Sequence, residues 1–273
     1  MPSPRIQQAF AAMQRQGRTG LVLYVTAGFP DVKTTLDLVP ALAQAGADVI
    51  ELGVPFSDPL ADGATIQKAS FHALQQGVSL RVCLETAATL RQRGVNVPLI
   101  LMGYYNPILA LGVTEFIQRC KECGVDGLIV PDLPPEESSP LREAAAARDI
   151  DLVCLLAPTS TEKRIAAACG SASGFIYCVS LAGVTGAREQ VSEEGLWLVQ
   201  RVRKHTKLPI AVGFGIARRE HVEAVGRYAD AAVIGSALVN VIDHAAPGQA
   251  VADAVRFVHE LNGRPQPIAR GVR

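Results

Sequence analysis

The sequence lacks an excess of charge of either sign: Lys and Arg number 26, Asp and Glu 26, and the formal net charge is +0. That balance speaks against nucleic acid or an anionic membrane as a main partner, since both select a basic face. Basic residues stand singly or in short pairs such as Arg218-Arg219. No apolar run reaches the ~18 residues that a membrane span needs. The opening segment, MPSPRIQQAFAAMQRQG, is amphipathic and has no apolar stretch of the signal-peptide kind. Cysteine is sparse: Cys83, Cys120, Cys123, Cys154, Cys169 and Cys178 are scattered, mostly in apolar segments. Without a secretory signal they read as reduced, buried thiols. A soluble, cytoplasmic protein is expected.

What is present is a repeated cycle. Short, continuous apolar runs occur at Leu21–Thr26, Val49–Gly53, Pro98–Gly103, Gly127–Pro131, Asp151–Leu156, Gly174–Ser180, Leu208–Gly213 and Ala231–Gly235. Segments of helical period lie between them, such as Thr34–Ala45 and Ser192–His205. Continuous rather than alternating runs suit parallel strands covered by helices. Gly46-Ala47-Asp48, Gly94-Val95-Asn96 and Gly124-Val125-Asp126 hand a helix over to the next strand. In each, glycine supplies a left-handed stop and a small polar residue turns the chain. Eight such units fit a (β/α)8 TIM barrel, and a length of 273 residues is ordinary for one. A doubly wound open sheet is the competitor, because periodicity alone does not show closure.

The barrel is expected to span residues 1–262 as a single domain, with Pro4–Gln16 as an extra N-terminal helix closing one end. The Pro- and Arg-rich tail, residues 263–273, is expected to fray. The longest interval between strand starts follows the second strand, so extra material sits in that connection. In a barrel the loop opening it lies on the catalytic face.

That second strand carries an anomaly. Glu51 stands among Val49, Ile50, Leu52, Val54 and Phe56, and no Lys or Arg appears until Lys68. A structural carboxylate paired with a distant cation is one reading. An acid held protonated by desolvation at the barrel mouth is the other. Asp62 follows beyond Pro55, Asp58 and Pro59, in a stretch too rich in proline for helix. It is a turn aspartate before glycine, or a second carboxyl brought opposite the first.

Glycines cluster late in the chain: Gly183-Val184-Thr185-Gly186, Gly213-Phe214-Gly215 and Gly235-Ser236. Backbone N–H groups at such loops, and a helix opening at Ser236, suit a phosphate. Gly213-Phe214-Gly215-Ile216 does not complete a dinucleotide fingerprint. Tyr24, Met102, Tyr104 and Tyr177 fall at strand ends, as pocket lining or as ordinary packing. Cys120 and Cys123 have a redox or zinc spacing without a second pair, so no metal site is expected. The five histidines form no ligand pattern and read as solvated helix positions. None of the strand runs contains the lysine that a Schiff-base aldolase requires.

Taken together, ELGVPFSDPLADG followed by Thr65-Ile66-Gln67, Tyr24-Val25-Thr26-Ala27-Gly28, Met102-Gly103-Tyr104-Tyr105-Asn106-Pro107, Val130-Pro131-Asp132-Leu133-Pro134, GVTGAR at 183–188 and Gly213-Phe214-Gly215-Ile216 carry a resemblance. From Arg5 to about Leu261 the chain resembles the alpha subunit of tryptophan synthase.

The resemblance implies a lyase of tryptophan biosynthesis that splits indole-3-glycerol phosphate into indole and D-glyceraldehyde 3-phosphate. It implies Glu51 and Asp62 as the catalytic pair, and Gly186, Gly215, Gly235 and Ser236 as phosphate contacts. Tyr24, Met102, Tyr104, Tyr177 and Phe214 match the indole pocket, and Thr185 the mobile-loop threonine. It also implies no cofactor in this subunit. Pyridoxal phosphate belongs to a beta subunit that joins it in an α2β2 tetramer. Ala64 stands where many members have proline, and Leu181 where some have arginine, which bears on loop closure and partner response. A stand-alone lyase releasing free indole, and a weakly catalytic barrel kept as an allosteric binding subunit, are the alternatives.

Overall fold

The computed structural model describes residues 3–179, 193–213 and 215–263. Eight parallel strands close in chain order into a barrel: β1 (Gly20–Thr26), β2 (Val49–Gly53), β3 (Leu99–Met102), β4 (Gly127–Ile129), β5 (Asp151–Leu156), β6 (Ile176–Val179), β7 (Ile210–Gly213) and β8 (Ala231–Ile234). β8 pairs back onto β1, with Val22 opposite Val233. The open-sheet competitor is thereby ruled out.

Helices α1 (Pro4–Gln16), α2 (Val32–Ala45), α3 (Ala64–Gln75), α4 (Leu80–Gln92), α5 (Tyr105–Leu111) and α6 (Val113–Glu122) belong to the first half. The second half has α7 (Ser139–Ala146), α8 (Glu162–Ser171), α9 (Glu193–Arg203), α10 (Arg219–Val225), α11 (Ser236–Asp243) and α12 (Ala250–Leu261). The long interval after β2 holds an added helix, α3, behind a loop of residues 54–63. No helix of the described residues is long and apolar enough to cross a membrane.

Successive strand side chains alternate between two apolar regions, as the period of two dictates. Leu21, Leu23, Ile50, Leu52, Leu99 and Leu101 face the helices. Val22, Val49, Ile100, Ile129, Val153 and Phe175 fill the barrel interior. Into the same interior α1 sends Ile6, Phe10 and Met13, spaced to share one helix face. The Phe10 and Phe175 rings meet at 5.3 Å. Pro4 opens α1 at the position where a missing N–H costs nothing, and Gly17 ends it at φ 60°. The expected extra helix therefore closes the amino-terminal end of the barrel.

That end is also tied by aspartates just ahead of the strands. Asp48 accepts the Leu21 N–H at 2.8 Å, Asp126 the Leu99 N–H at 2.9 Å and Asp230 the Ile210 N–H at 2.7 Å. Each carboxylate thus satisfies the opening of the preceding strand. Gly46, Gly94 and Gly124 take positive φ as the handover pattern requires, but Asn96 is exposed and plays no such part. Asp126 carries the densest set, receiving Arg91, Arg5 at 3.0 Å and Ser3 at 3.2 Å as well.

Candidate active site

Glu51 is the third residue of β2, on the inward face with Val49 below it and Gly53 above. In register it lies between Tyr24 of β1 and Ile100 of β3. It is 0% exposed. Neither carboxyl oxygen has a hydrogen-bond partner among the described residues. Loss of water, opposed by nothing else, pushes its pKa up to about 8. Of the two readings that the sequence left open, the structure favours the protonated acid over the paired carboxylate.

Two tyrosines lie near enough to this acid to feel its charge. The Tyr24 side chain leans across Gly53, where a Cβ would stand 2.0 Å from the Tyr24 Oη. Tyr177 covers Gly213 in the same way, with its Oη 2.8 Å from such a Cβ. Aromatic packing thus leaves no room for a side chain at Gly213. Burial pushes both phenols upward, and the Glu51 charge adds to each shift. Thr26 Oγ1 donates to the Tyr24 Oη at 3.4 Å.

Asp62 lies half-buried in the 54–63 loop. Burial raises its pKa, and the Tyr104 hydroxyl pulls it back down. The Asp62 charge also acts on Tyr24, as that of Glu51 does. One phenol therefore feels both carboxyls, the strand acid and the loop acid. The loop itself is fastened to Tyr104. Phe56 stacks on the tyrosine ring at 5.1 Å, and the Ala61 N–H donates to its hydroxyl at 2.9 Å. Gln67 Nε2 donates to the Asp62 carbonyl at 2.8 Å.

Met102 ends β3 on the inward face, between Gly53 and Ile129 in register. Leu155, opposite Tyr177 on β5, faces the same interior and was not singled out from the sequence. Counting by twos from the inward Val153 would have found it. Met102, Tyr177 and Leu155 pack against the interior cluster on the inward face that also carries Glu51.

Across the mouth, Gly215 sits just past β7 at φ 67°, and none of the described residues lies within 4 Å of where a side chain would begin. Gly235 follows β8 and is the N-cap of α11, whose first residue is Ser236. Among the described residues no side chain caps that helix, and the N–H groups that open it at Ser236 and Ala237 suit an anion. Thr185, Gly186 and Phe214 lie outside the described residues, as do Leu181, the 183–188 segment and the tail from 264.

The remaining candidates resolve into structure. All six cysteines are free. Burial pushes the Cys120 and Cys123 thiols upward. No group of three His, Cys, Asp or Glu able to hold a metal occurs among the described residues. His205 pairs with Glu162 at 3.1 Å, and His244 bonds the Asn240 carbonyl at 2.8 Å. His259 departs from the solvated placement expected of it, because its Nδ1 is buried without a partner among the described residues.

Residues 10–264 match the family model described as tryptophan synthase alpha chain. The tryptophan synthase alpha chain of Roseiflexus castenholzii is 51% identical over 259 residues, covering 95% of this chain and 99% of that relative. Among solved structures, tryptophan synthase of Mycobacterium tuberculosis superposes with a TM-score of 0.88 at 35% identity, covering 96% of this chain and 98% of its own. A chain of the tryptophan synthase α2β2 complex from the hyperthermophile Pyrococcus furiosus reaches 0.85 at 40% identity, covering 90% and 98%. With a family match over most of its length and relatives of this identity, the chain belongs to the tryptophan synthase alpha chain family.

Proposed function

We propose that this chain, as the alpha subunit acting in tryptophan biosynthesis, cleaves indole-3-glycerol phosphate to indole and D-glyceraldehyde 3-phosphate by a retro-aldol reaction. The observation that carries the reading is Glu51: a fully buried carboxyl with no hydrogen-bond partner among the described residues, beside Tyr24, whose phenol also feels the loop carboxyl of Asp62. Cleavage requires a proton on the ring carbon that bears the glycerol chain. Protonated Glu51 supplies it, and positive charge develops at the ring nitrogen. Ionised Asp62 accepts the N–H and stabilises that charge in a site shielded from water. The Glu51 carboxylate then takes the proton of the adjacent hydroxyl. The carbon–carbon bond breaks, its electrons restore the aromatic ring, and Glu51 is again protonated. The ring is the electron sink, so this route needs no cofactor in the chain.

Gly215, Gly235 and Ser236 would hold the phosphate together with Gly186, away from the breaking bond, giving affinity and alignment. Tyr24, Met102, Tyr104, Tyr177 and Phe214 would line the indole pocket, with Thr185 closing near Asp62. Residues 1–262 act as one barrel domain in the cytoplasm. Leu60, 88% exposed on the loop after β2, and Leu109, 54% exposed on α5, support a docking face on this side of the barrel. The partner there would be a beta subunit carrying pyridoxal phosphate, in an α2β2 tetramer.

The test is indole release from indole-3-glycerol phosphate by the purified chain, with and without a beta subunit. Turnover is expected and is expected to rise with the partner. High turnover with no stimulation would favour the stand-alone lyase, and none in either case would contradict the reading. Because the free enzyme must carry a proton on Glu51, kcat/KM is expected to fall as pH rises through about 8. A profile level through that region would contradict the role of Glu51.

A further inference from the structure

Tyr104 is 4% exposed and makes two contacts with the loop that carries Asp62. Its ring stacks on Phe56 with 26° between the planes, and its hydroxyl accepts the Ala61 N–H at 2.9 Å. The tyrosine itself grows from a fixed frame. The preceding Gly103 donates its N–H to the Ile129 carbonyl at 3.0 Å. The following Tyr105 N–H is held by both oxygens of Asp132, at 3.0 and 3.2 Å. A firmly held residue between β3 and α5 thus grips a loop at the residue just before its acid.

A hydroxyl that has accepted one hydrogen bond still has its own proton to give. The neighbouring acceptor is the Asp62 carboxylate, whose pKa this hydroxyl lowers against the effect of burial. We propose that Tyr104 is a positioning residue: its hydroxyl, by accepting the Ala61 N–H, fixes the Ala61–Asp62 segment so that the Asp62 carboxylate faces the indole N–H. This rests on the reading that Asp62 accepts that N–H during cleavage. Lining the indole pocket asks only for the ring, whereas this role asks for the oxygen.

Tyr104→Phe separates the two, since it keeps the ring and the Phe56 stack. The expected result is a roughly tenfold fall in kcat, the worth of one hydrogen bond to a charged acceptor. KM for indole-3-glycerol phosphate is expected to change by less than about threefold, because phosphate and ring contacts persist. The acid limb of the kcat–pH profile is expected to move to higher pH, as Asp62 loses a donor that favours its ionised form. Fluorotyrosine at position 104 keeps both fold and hydroxyl, and its stronger donor is expected to move that limb to lower pH. Unchanged kcat with an unmoved acid limb in both variants would overturn the proposal. Asp62→Asn tells the two levels apart. If it cripples turnover while Tyr104→Phe is normal, the proposal alone fails. If it turns over normally, the reading beneath fails and the proposal with it.

Discussion

Glu51→Gln is expected to lower indole release roughly a thousandfold or more, the range for a residue that both gives and takes a proton. Glutamine is nearly isosteric and fits a position that is 0% exposed, but it has no acidic proton to deliver to the ring carbon. Binding of an unreactive indole-propanol phosphate is expected to stay within about threefold, because the phosphate contacts and the aromatic walls are untouched. Turnover within about tenfold of the parent would contradict the assignment, and so would a lost analogue affinity with turnover per bound substrate unchanged.

The same variant gives a stability signature whose sign is fixed. The Glu51 carboxyl rises from its ordinary 4.5 to about 8 on folding. Between those values the folded chain holds a proton that the unfolded chain has released. Stability from this residue is therefore full below 4.5 and is lost as pH rises through about 8. Relative to Glu51→Gln, the parent should lose up to about 1.4 kcal/mol per pH unit across that window. Urea unfolding of both proteins at several pH values measures the difference. Parallel stability curves would mean that Glu51 is not held protonated in the fold.

Asp126→Ala is expected to cost about 3–5 kcal/mol in urea unfolding, the penalty for breaking a buried charge pair from one side. The Asp126 side chain is 4% exposed and that of Arg91 13% exposed. Burial lowers the Arg91 pKa to about 10, and Asp126 is the charge that works against this. Arg91 also donates to the carbonyls of Gly124, Val95 and Val97, at 2.9, 2.6 and 2.8 Å. Without Asp126 this fork keeps its charge but loses its counterion, and the Leu99 N–H loses its acceptor. The expected damage is to the amino-terminal end of the barrel, opposite the catalytic mouth. A loss below about 1 kcal/mol would show that solvent replaces the pair cheaply.

The barrel was legible because the strands are continuous apolar runs and three of the handovers repeat one glycine turn. Glu51 was legible for a related reason: a carboxylate between Ile50 and Leu52 has no local partner, and the fold supplies none among the described residues. What sequence reading missed depends on contacts between distant segments. Ala61 and Tyr104 are 43 positions apart, and nothing local says that the tyrosine oxygen meets that N–H. Gly213 read as part of an anion loop because glycine has several uses, and the packing use, under the Tyr177 ring, has no local signal. Asp126 read as a turn residue, whereas its partners Ser3, Arg5, Arg91 and Leu99 come from three separate parts of the chain.

The central claim is that Glu51 is a neutral acid, ready to protonate a ring carbon, at the pH where the enzyme works. Its most direct test is the infrared difference spectrum between the parent protein and Glu51→Gln, followed across pH. A protonated-carboxyl carbonyl band should be present at neutral pH and disappear with a midpoint near 8. A carboxylate signature at neutral pH, titrating instead near the ordinary 4.5, would contradict it.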